Sequence, residues 1–219
     1  MDINFIFENI PLYIKATQLT LTLAFWGVIL SVAIGFICSM IIYFRVKVLR
    51  HIVSGYIEFS RNTPLLIQLF FLYYGLPKMG IKLEAYTCAI IGLAFLGGSY
   101  MAEAFRSGFE AVSKVQIESG LSIGLTKPKL IRYVILPQAF AVSIPALGAN
   151  TIFLLKETSI VSAIALADLM FVAKDLIGMY YKTTEALFML VVAYLIILLP
   201  LSLFITFIER KVRHAGFGS

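Results

Sequence analysis

Charge is what this sequence has least of: Asp, Glu, Lys and Arg make up 14% of its 219 residues, against 60% hydrophobic ones. Soluble domains carry about 25% charged and roughly 45–50% apolar residues, so a water-soluble fold does not fit. Alternation is missing too. The apolar residues come in long blocks, which excludes barrel strands of about 9–11 alternating positions. Cysteine is down to two, Cys38 and Cys88, both inside apolar blocks; a disulfide framework is excluded, and small buried hydrophobes are the ordinary reading. There is no cysteine pair at metal spacing, no His-Glu-x-x-His run and no Gly-x-Ser-x-Gly elbow, so no catalytic constellation is present. A Gly-x4-Gly-Lys-Ser/Thr phosphate loop is also absent, which leaves the chain without a nucleotide site of its own. The first basic residue, Lys15, follows Asp2 and Glu8. Without a positive leading region, the first apolar block is expected to persist rather than be cleaved as a signal.

What is present is a set of five apolar stretches: Thr17 to Phe44, Ile52 to Leu76, Ala85 to Phe105, Pro145 to Ala167 and Ala186 to Ile208. Each meets the roughly 20 residues required by a bilayer core about 30 Å thick. The expected fold is therefore an all-α integral membrane protein with five transmembrane helices. The fourth apolar stretch begins earlier, near Tyr133, and holds Pro137, Pro145 and the pair Lys156-Glu157. Proline is tolerated in a first turn and Ser143 can cap, so this helix is expected to start near Pro145, with Tyr133 to Val142 at the interface.

Lysine and arginine concentrate on the cytoplasmic side of short loops. With the N-terminus outside, the inner side holds Arg45, Lys47, Arg50, Arg106, Lys114, Lys127, Lys129, Arg132, Arg210, Lys211 and Arg213. The outer side holds only Lys15, Lys78, Lys82, Lys174 and Lys182. The net charge of +6 is then a topology signal, and a nucleic-acid patch is the weaker reading. His51 and His214 fall in the same basic segments, and Phe70, Phe71, Tyr73 and Tyr74 suit an aromatic belt at the outer interface. Residues 1–219 show no internal repeat and no second domain. Many self-contained secondary transporters are built from repeats, so five helices without one look like half of a pathway, and a second subunit is expected.

The long inner connection, about residues 113–133, is mixed polar and apolar, with a break at Gly124 and Pro128 between two possible short helices. Gly120 and Gly124 are four apart, a small-residue spacing that permits close approach. With Glu118, Lys127 and Lys129 beside them, the close partner is expected to be a cytoplasmic protein. The run Glu118-Ser119-Gly120, three residues, Gly124, nine residues, Val134-Ile135-Leu136-Pro137 resembles the coupling-loop motif of ATP-binding cassette import permeases. Ser119, Gly120 and Val134 depart from that motif, small for small and aliphatic for aliphatic. The stretches Glu58 to Gln68, Gly75 to Pro77, Tyr100 to Arg106 and Lys156-Glu157-Thr158-Ser159 look like the histidine, glutamine, arginine and cystine branch of that family. The resemblance runs from about Thr17 to Arg213.

The resemblance implies one permease domain in a bacterial plasma (inner) membrane, moving a polar amino acid into the cytoplasm. It implies a pore of two such subunits, identical or related, with two cytoplasmic ATPase subunits and an external amino-acid-binding protein. ATP and Mg would be used by the ATPase, and this chain would bind no cofactor. Glu118, Ser119, Gly120, Gly124 and Pro137 would serve ATPase coupling. The alternative is a self-sufficient ion-coupled transporter or channel, working without a nucleotide-binding partner.

Ionisable residues inside a bilayer are costly and mark functional candidates. Arg61 lies about 13 Å from the inner start of its stretch, and Lys156 about 17 Å from Pro145. Lys156 and Glu157 are adjacent and point about 100° apart, so at least one needs a partner elsewhere. Glu58 and Arg61, three residues apart, can instead form a structural pair on one helix face, as can Glu103 and Arg106. A substrate site is expected around Arg61, Lys156 and Glu157. Thr63, Gln68, Thr158 and Ser159 would supply neutral hydrogen bonds, although the hydroxyls of Thr158 and Ser159 can also bond back to the preceding turn.

Overall fold

A computed structural model describes residues 1–216, with side chains through Val212. The side chains of Arg213 and His214, both expected on the inner side, lie outside the described residues. Among the described residues nine α-helices follow one another: α1 (Ile3–Tyr43), α2 (Lys47–Arg61), α3 (Leu65–Phe70), α4 (Ala85–Glu110), α5 (Lys114–Ser122), α6 (Lys127–Leu130), α7 (Leu136–Glu157), α8 (Leu169–Tyr180) and α9 (Thr183–Gly216). Four helical runs among the described residues are long and apolar enough to cross a bilayer: Ile3–Tyr43, Ala85–Glu110, Lys127–Ile164 and Thr183–Val212.

The hub is α4, with α1, α2 and α7 packed around it. Its small residues, among them Gly92, Gly97, Gly98, Ala102 and Ala104, let neighbouring backbones come close where apolar burial gives no advantage over lipid. Polar side chains then tie the neighbours to α4 carbonyls. Ser31 of α1 donates to Leu93 O at 3.3 Å, Tyr56 and Ser60 of α2 donate to Phe95 O at 2.6 and 3.0 Å, and Asn150 of α7 donates to Tyr100 O at 3.1 Å. One close backbone approach is at Gly35 of α1, where a Cβ would stand 2.7 Å from the Ala102 nitrogen. Backbone cannot yield as a side chain can. Gly35→Leu should therefore destabilise the fold by about 1–3 kcal/mol or more, read as a lower melting temperature of the detergent-solubilised protein and less of it in the membrane.

Outward faces are apolar. Phe25, Trp26 and Ile37 on α1 and Ile196, Leu203 and Phe207 on α9 are all exposed, a surface that only hydrocarbon or another apolar surface can cover without penalty. Cys38 and Cys88 are free and buried, as expected.

The second expected span is not one helix. Helix α2 begins at Lys47 and ends at Arg61, and only after Asn62-Thr63-Pro64 does a shorter apolar run resume, from Leu65 to Met79. Pro64 has no N–H to continue the ladder and biases Thr63 away from helical angles. The expected start of the fourth span is also corrected. Helix runs unbroken from Lys127 to Ile164, so Tyr133 to Val142 is part of it, Pro145 lies inside it, and Ser143 bonds back to Ala139 O at 2.8 Å instead of capping. A first-turn preference proves a poor guide here, because a packed membrane helix tolerates interior proline. A π-helical turn, Ile131–Ile135, precedes Pro137 and absorbs the bond that residue cannot make.

The helices share two ends. At one, the Asp2 amide donates to Glu185 Oε1 at 2.8 Å, Lys182 Nζ lies 3.1 Å from Asp2 Oδ2, and the Tyr13 hydroxyl donates to Ala186 O. Helices α1 and α9 therefore start together. Nearby, Asp168 caps α8 through bonds from Met170 N and Phe171 N. Burial pushes its carboxyl up to about 6, although those two amides pull it back. At the other end, the close of α1, the start of α2, the close of α4 and the start of α5 gather Arg45, Arg50, Arg106 and Lys114 around one cavity.

Candidate functional site

The residues expected to serve coupling and substrate fall in two places, the first at the basic end and the second along α2, α4 and the end of α7. At the basic end, Ser113 caps α5 through a bond from Gln116 N, and the helix closes on Gly124 at φ +82°. The amides of Leu125 and Gly124 donate to Gly120 O and Leu121 O, both at 3.0 Å. This is a Schellman stop, whose left-handed position favours glycine. The chain turns through Thr126 into α6, with Pro128 in its first turn. Gly124 and Pro128 thus mark an elbow, as the sequence suggests, although α6 is the opening turn of the fourth long helix rather than a separate element.

The two glycines divide their work differently from the sequence expectation. Gly120 is buried against Leu130 inside the elbow, so its smallness serves this chain. Gly124 is exposed, and a Cβ there would meet nothing within 4 Å. Around it, Val115, Leu121 and Ile123 are exposed, Ile123 at 79%, with Glu118 and Ser119 exposed beside them. Pro137 is exposed early in α7, beyond the elbow. The arrangement is a small exposed apolar knob with a polar rim.

At the exposed seam between α2 and α4, Arg61 closes α2. Its guanidinium stands 5.3 Å from the Tyr100 ring centroid, and its Nη1 is 3.8 Å from Glu103 Oε2. Glu103 is held far more closely by Arg106, at 2.7 Å, and Arg106 in turn by Glu110, at 2.8 Å. The Glu103–Arg106 pair is structural, as anticipated. The alternative pairing of Glu58 with Arg61 does not form: Glu58 accepts from the Asn62 side chain at 3.4 Å. Arg61 is left with one long contact to a carboxylate already matched by another arginine. It lines a cavity of about 260 Å³ with Glu58, Asn62 and Tyr100.

Thr63 bonds back to Phe59 O at 2.8 Å. Gln68 bridges the helix break, its Nε2 donating to Ser60 O and Thr63 O at 3.2 and 3.0 Å, while its Oε1 is buried without a partner. Both therefore have structural bonds that the sequence reading did not assign. Thr158 and Ser159 also bond back, to Leu155 O at 2.7 Å and Lys156 O at 2.8 Å. Lys156 is exposed and Glu157 half-buried. Among the described residues, neither joins an ion pair.

Register against α4 gives their levels along the bundle. Leu154 packs on Gly97, which is close to the midpoint of Ala85–Glu110. Lys156 is therefore about 3 Å along the helix axis beyond that midpoint, and Glu103, with Arg61, about 9 Å to its other side. Helix α3 packs against the 3₁₀ turn Thr158–Ile164, so the two stretches adjoin through their apolar residues. None of the hydrogen bonds or ion pairs of the described residues links Arg61 to Lys156 or Glu157. Asn62 and Tyr100 beside Arg61 are given no site role by the sequence reading, although both fall in stretches that resemble the family's motifs.

Residues 5–214 match the family of the binding-protein-dependent transport system inner membrane component. The chain is 33% identical to the probable amino-acid ABC transporter permease protein PatM of Vibrio harveyi, over 98% of this chain and 97% of that protein. It is 31% identical to the glutamine transport system permease protein GlnP of Escherichia coli (strain K12), covering 97% of this chain and 98% of that one. A crystal structure of an amino acid ABC transporter with histidines superposes with a TM-score of 0.90 at 34% identity, covering 96% of this chain and 99% of that one.

Proposed function

We propose, since the chain belongs to the family of binding-protein-dependent transport system inner membrane components, that it is the permease subunit of an ATP-driven importer carrying a polar amino acid inward. It is a multi-pass membrane protein and not an enzyme; ATP hydrolysis belongs to a separate subunit. The substrate class rests on relatives described as amino-acid and glutamine permeases. The observation that carries the reading is the elbow: a Schellman-stopped helix presenting Val115, Leu121 and Ile123 at the basic end, joined through a short turn to a helix that reaches Lys156-Glu157. Movement of an ATPase against the elbow would tilt that helix as a lever.

In this reading the basic end is cytoplasmic and the interrupted α2–α3 segment completes the fifth crossing. The second permease subunit, the two ATPase subunits and the external binding protein supply what one chain lacks. Lys156 and Glu157 face the partner permease across the passage, and Arg61 lies one step deeper. An amino acid is too short to span the roughly 12 Å between those levels, so it is handed from one to the other.

The test is to co-purify the chain with its ATPase and reconstitute both. Adding binding protein loaded with a polar amino acid should raise ATP hydrolysis severalfold and drive uptake. Uptake that continues without the ATPase would overturn the reading in favour of an ion-coupled carrier.

A further inference from the structure

We propose that the cavity at the basic end is a binding site for the phosphate headgroup of an anionic glycerophospholipid. This rests on the reading that the basic end meets a membrane surface. The cavity has a volume of about 670 Å³ and lies between the α1–α2 turn and the ends of α4 and α5. Its inner wall is apolar, with Tyr43 stacked on Phe109 at 4.9 Å between centroids. Its charge is strongly one-sided. Glu110 is a carboxylate on the wall, but both of its oxygens lie 2.8 Å from Arg106 Nη1, so each answers the other. Arg45, Arg50 and Lys114 also line the cavity, and none of the three joins an ion pair among the described residues. Three unmatched cations around one pocket call for an anion with several acceptor oxygens, which a phosphate provides.

The surroundings favour a lipid over a soluble phosphate. The pocket opens where α1 ends at Tyr43 and Arg45 begins the basic turn, the depth at which headgroups lie. Val48 and Ile52, on α2 beside Arg50, are 72% and 63% exposed. Cations alternating with exposed apolar side chains at a membrane boundary match a phosphate joined to acyl chains. A soluble anion would leave those apolar residues in water. The elbow that offers itself to a protein partner carries its own apolar knob at Ile123, so the ATPase does not need this cavity.

The experiment uses the full chain co-purified with its ATPase in nanodiscs of phosphatidylcholine containing a minority of phosphatidylglycerol. Native mass spectrometry then measures the phosphatidylglycerol retained per permease. Wild type should keep phosphatidylglycerol in preference to phosphatidylcholine. Arg45→Gln with Arg50→Gln should lose about thirtyfold in apparent affinity, the scale of two juxtamembrane cations. Arg210→Gln with Lys211→Gln, at the same end on α9, should leave retention unchanged. Equal retention in the first pair, or equal loss in both pairs, would remove the site. Displacement of the lipid by soluble glycerol phosphate at matching concentration would show a free-anion pocket, and lipid retained only when the ATPase is stripped from the complex would show a protein contact; either overturns the proposal. Orientation is read separately. In a background lacking Cys38 and Cys88, cysteine at Lys129 should be shielded from an impermeant thiol reagent in intact cells, and cysteine at Lys82 should label. The reverse pattern would refute the orientation while nanodisc retention, which samples both leaflets, still decides the lipid site.

Discussion

Gly124→Trp should reach the membrane in normal amount, bind ATPase poorly and transport nothing above background. The position sits at φ +82° with no atom near its absent side chain, so the indole would project outward without disturbing the chain's own packing. Two effects must be separated. Any non-glycine residue there meets left-handed strain of about 1–2 kcal/mol, and bulk adds obstruction of whatever seats on Val115, Leu121 and Ile123. Gly124→Ala carries the strain with almost no bulk, and it should retain most uptake and ATPase binding. A Trp variant that transports as wild type would reduce the elbow to an ordinary loop. An Ala variant as inactive as Trp would move the defect to the Schellman stop itself. Glu118→Lys, reversing an exposed charge beside the knob, should weaken the same contact to a smaller extent.

Three of the long helices were legible because bilayer thickness writes itself into the sequence as uninterrupted apolarity. The stretches inside α1, α4 and α9 needed no tertiary information. The interruption at Asn62-Thr63-Pro64 was legible as chemistry but was overridden by the hydropathy on both sides of it. Pro145 misled in the opposite direction: a rule calibrated on water-exposed helix ends was applied to a helix held by α4 and α9. The elbow was legible because its stop and restart need Gly124 and Pro128. The burial of Gly120 was not, because Leu130 reaches it only after the chain has turned back.

The charges show the same division. Glu103 and Arg106 lie three residues apart on one helix, and spacing alone pairs them. That Arg61 leans on Tyr100 and Glu103, and not on Glu58, depends on how α2 crosses α4, and that crossing is set by Tyr56 and Ser60 donating to Phe95 O. Hydroxyl chemistry was legible only as a pair of alternatives. Packing chose between them, and Thr158 and Ser159 both bond to their own preceding turn.

Arg61→Gln and Glu157→Gln should each assemble normally with the ATPase and yet change transport. An amino acid brings a carboxylate and an ammonium into a poorly hydrated passage, and each needs a fixed group of opposite sign. Glu157 is half-buried with no ion-pair partner among the described residues, which leaves its carboxylate free for an ammonium. Arg61 has one contact, at 3.8 Å, to a Glu103 already held at 2.7 Å by Arg106, so its guanidinium is free for a carboxylate. Hydrogen bonds to charged groups contribute about 1.5–3 kcal/mol, so each change should weaken apparent substrate affinity by roughly tenfold to a hundredfold. Glu157→Gln should also reduce preference for cationic over neutral substrates. Glu103→Gln is the discriminating control. If Arg61 acts only as scaffold through Glu103, the two variants should share one defect, lower membrane levels with unchanged affinity. If it meets substrate, Glu103→Gln should damage assembly while Arg61→Gln damages affinity. Uptake measured over a range of substrate concentrations, alongside membrane levels and ATPase binding, separates the two. Unchanged affinity and selectivity in well-assembled Arg61→Gln and Glu157→Gln would leave the charges as structure and the passage to residues elsewhere.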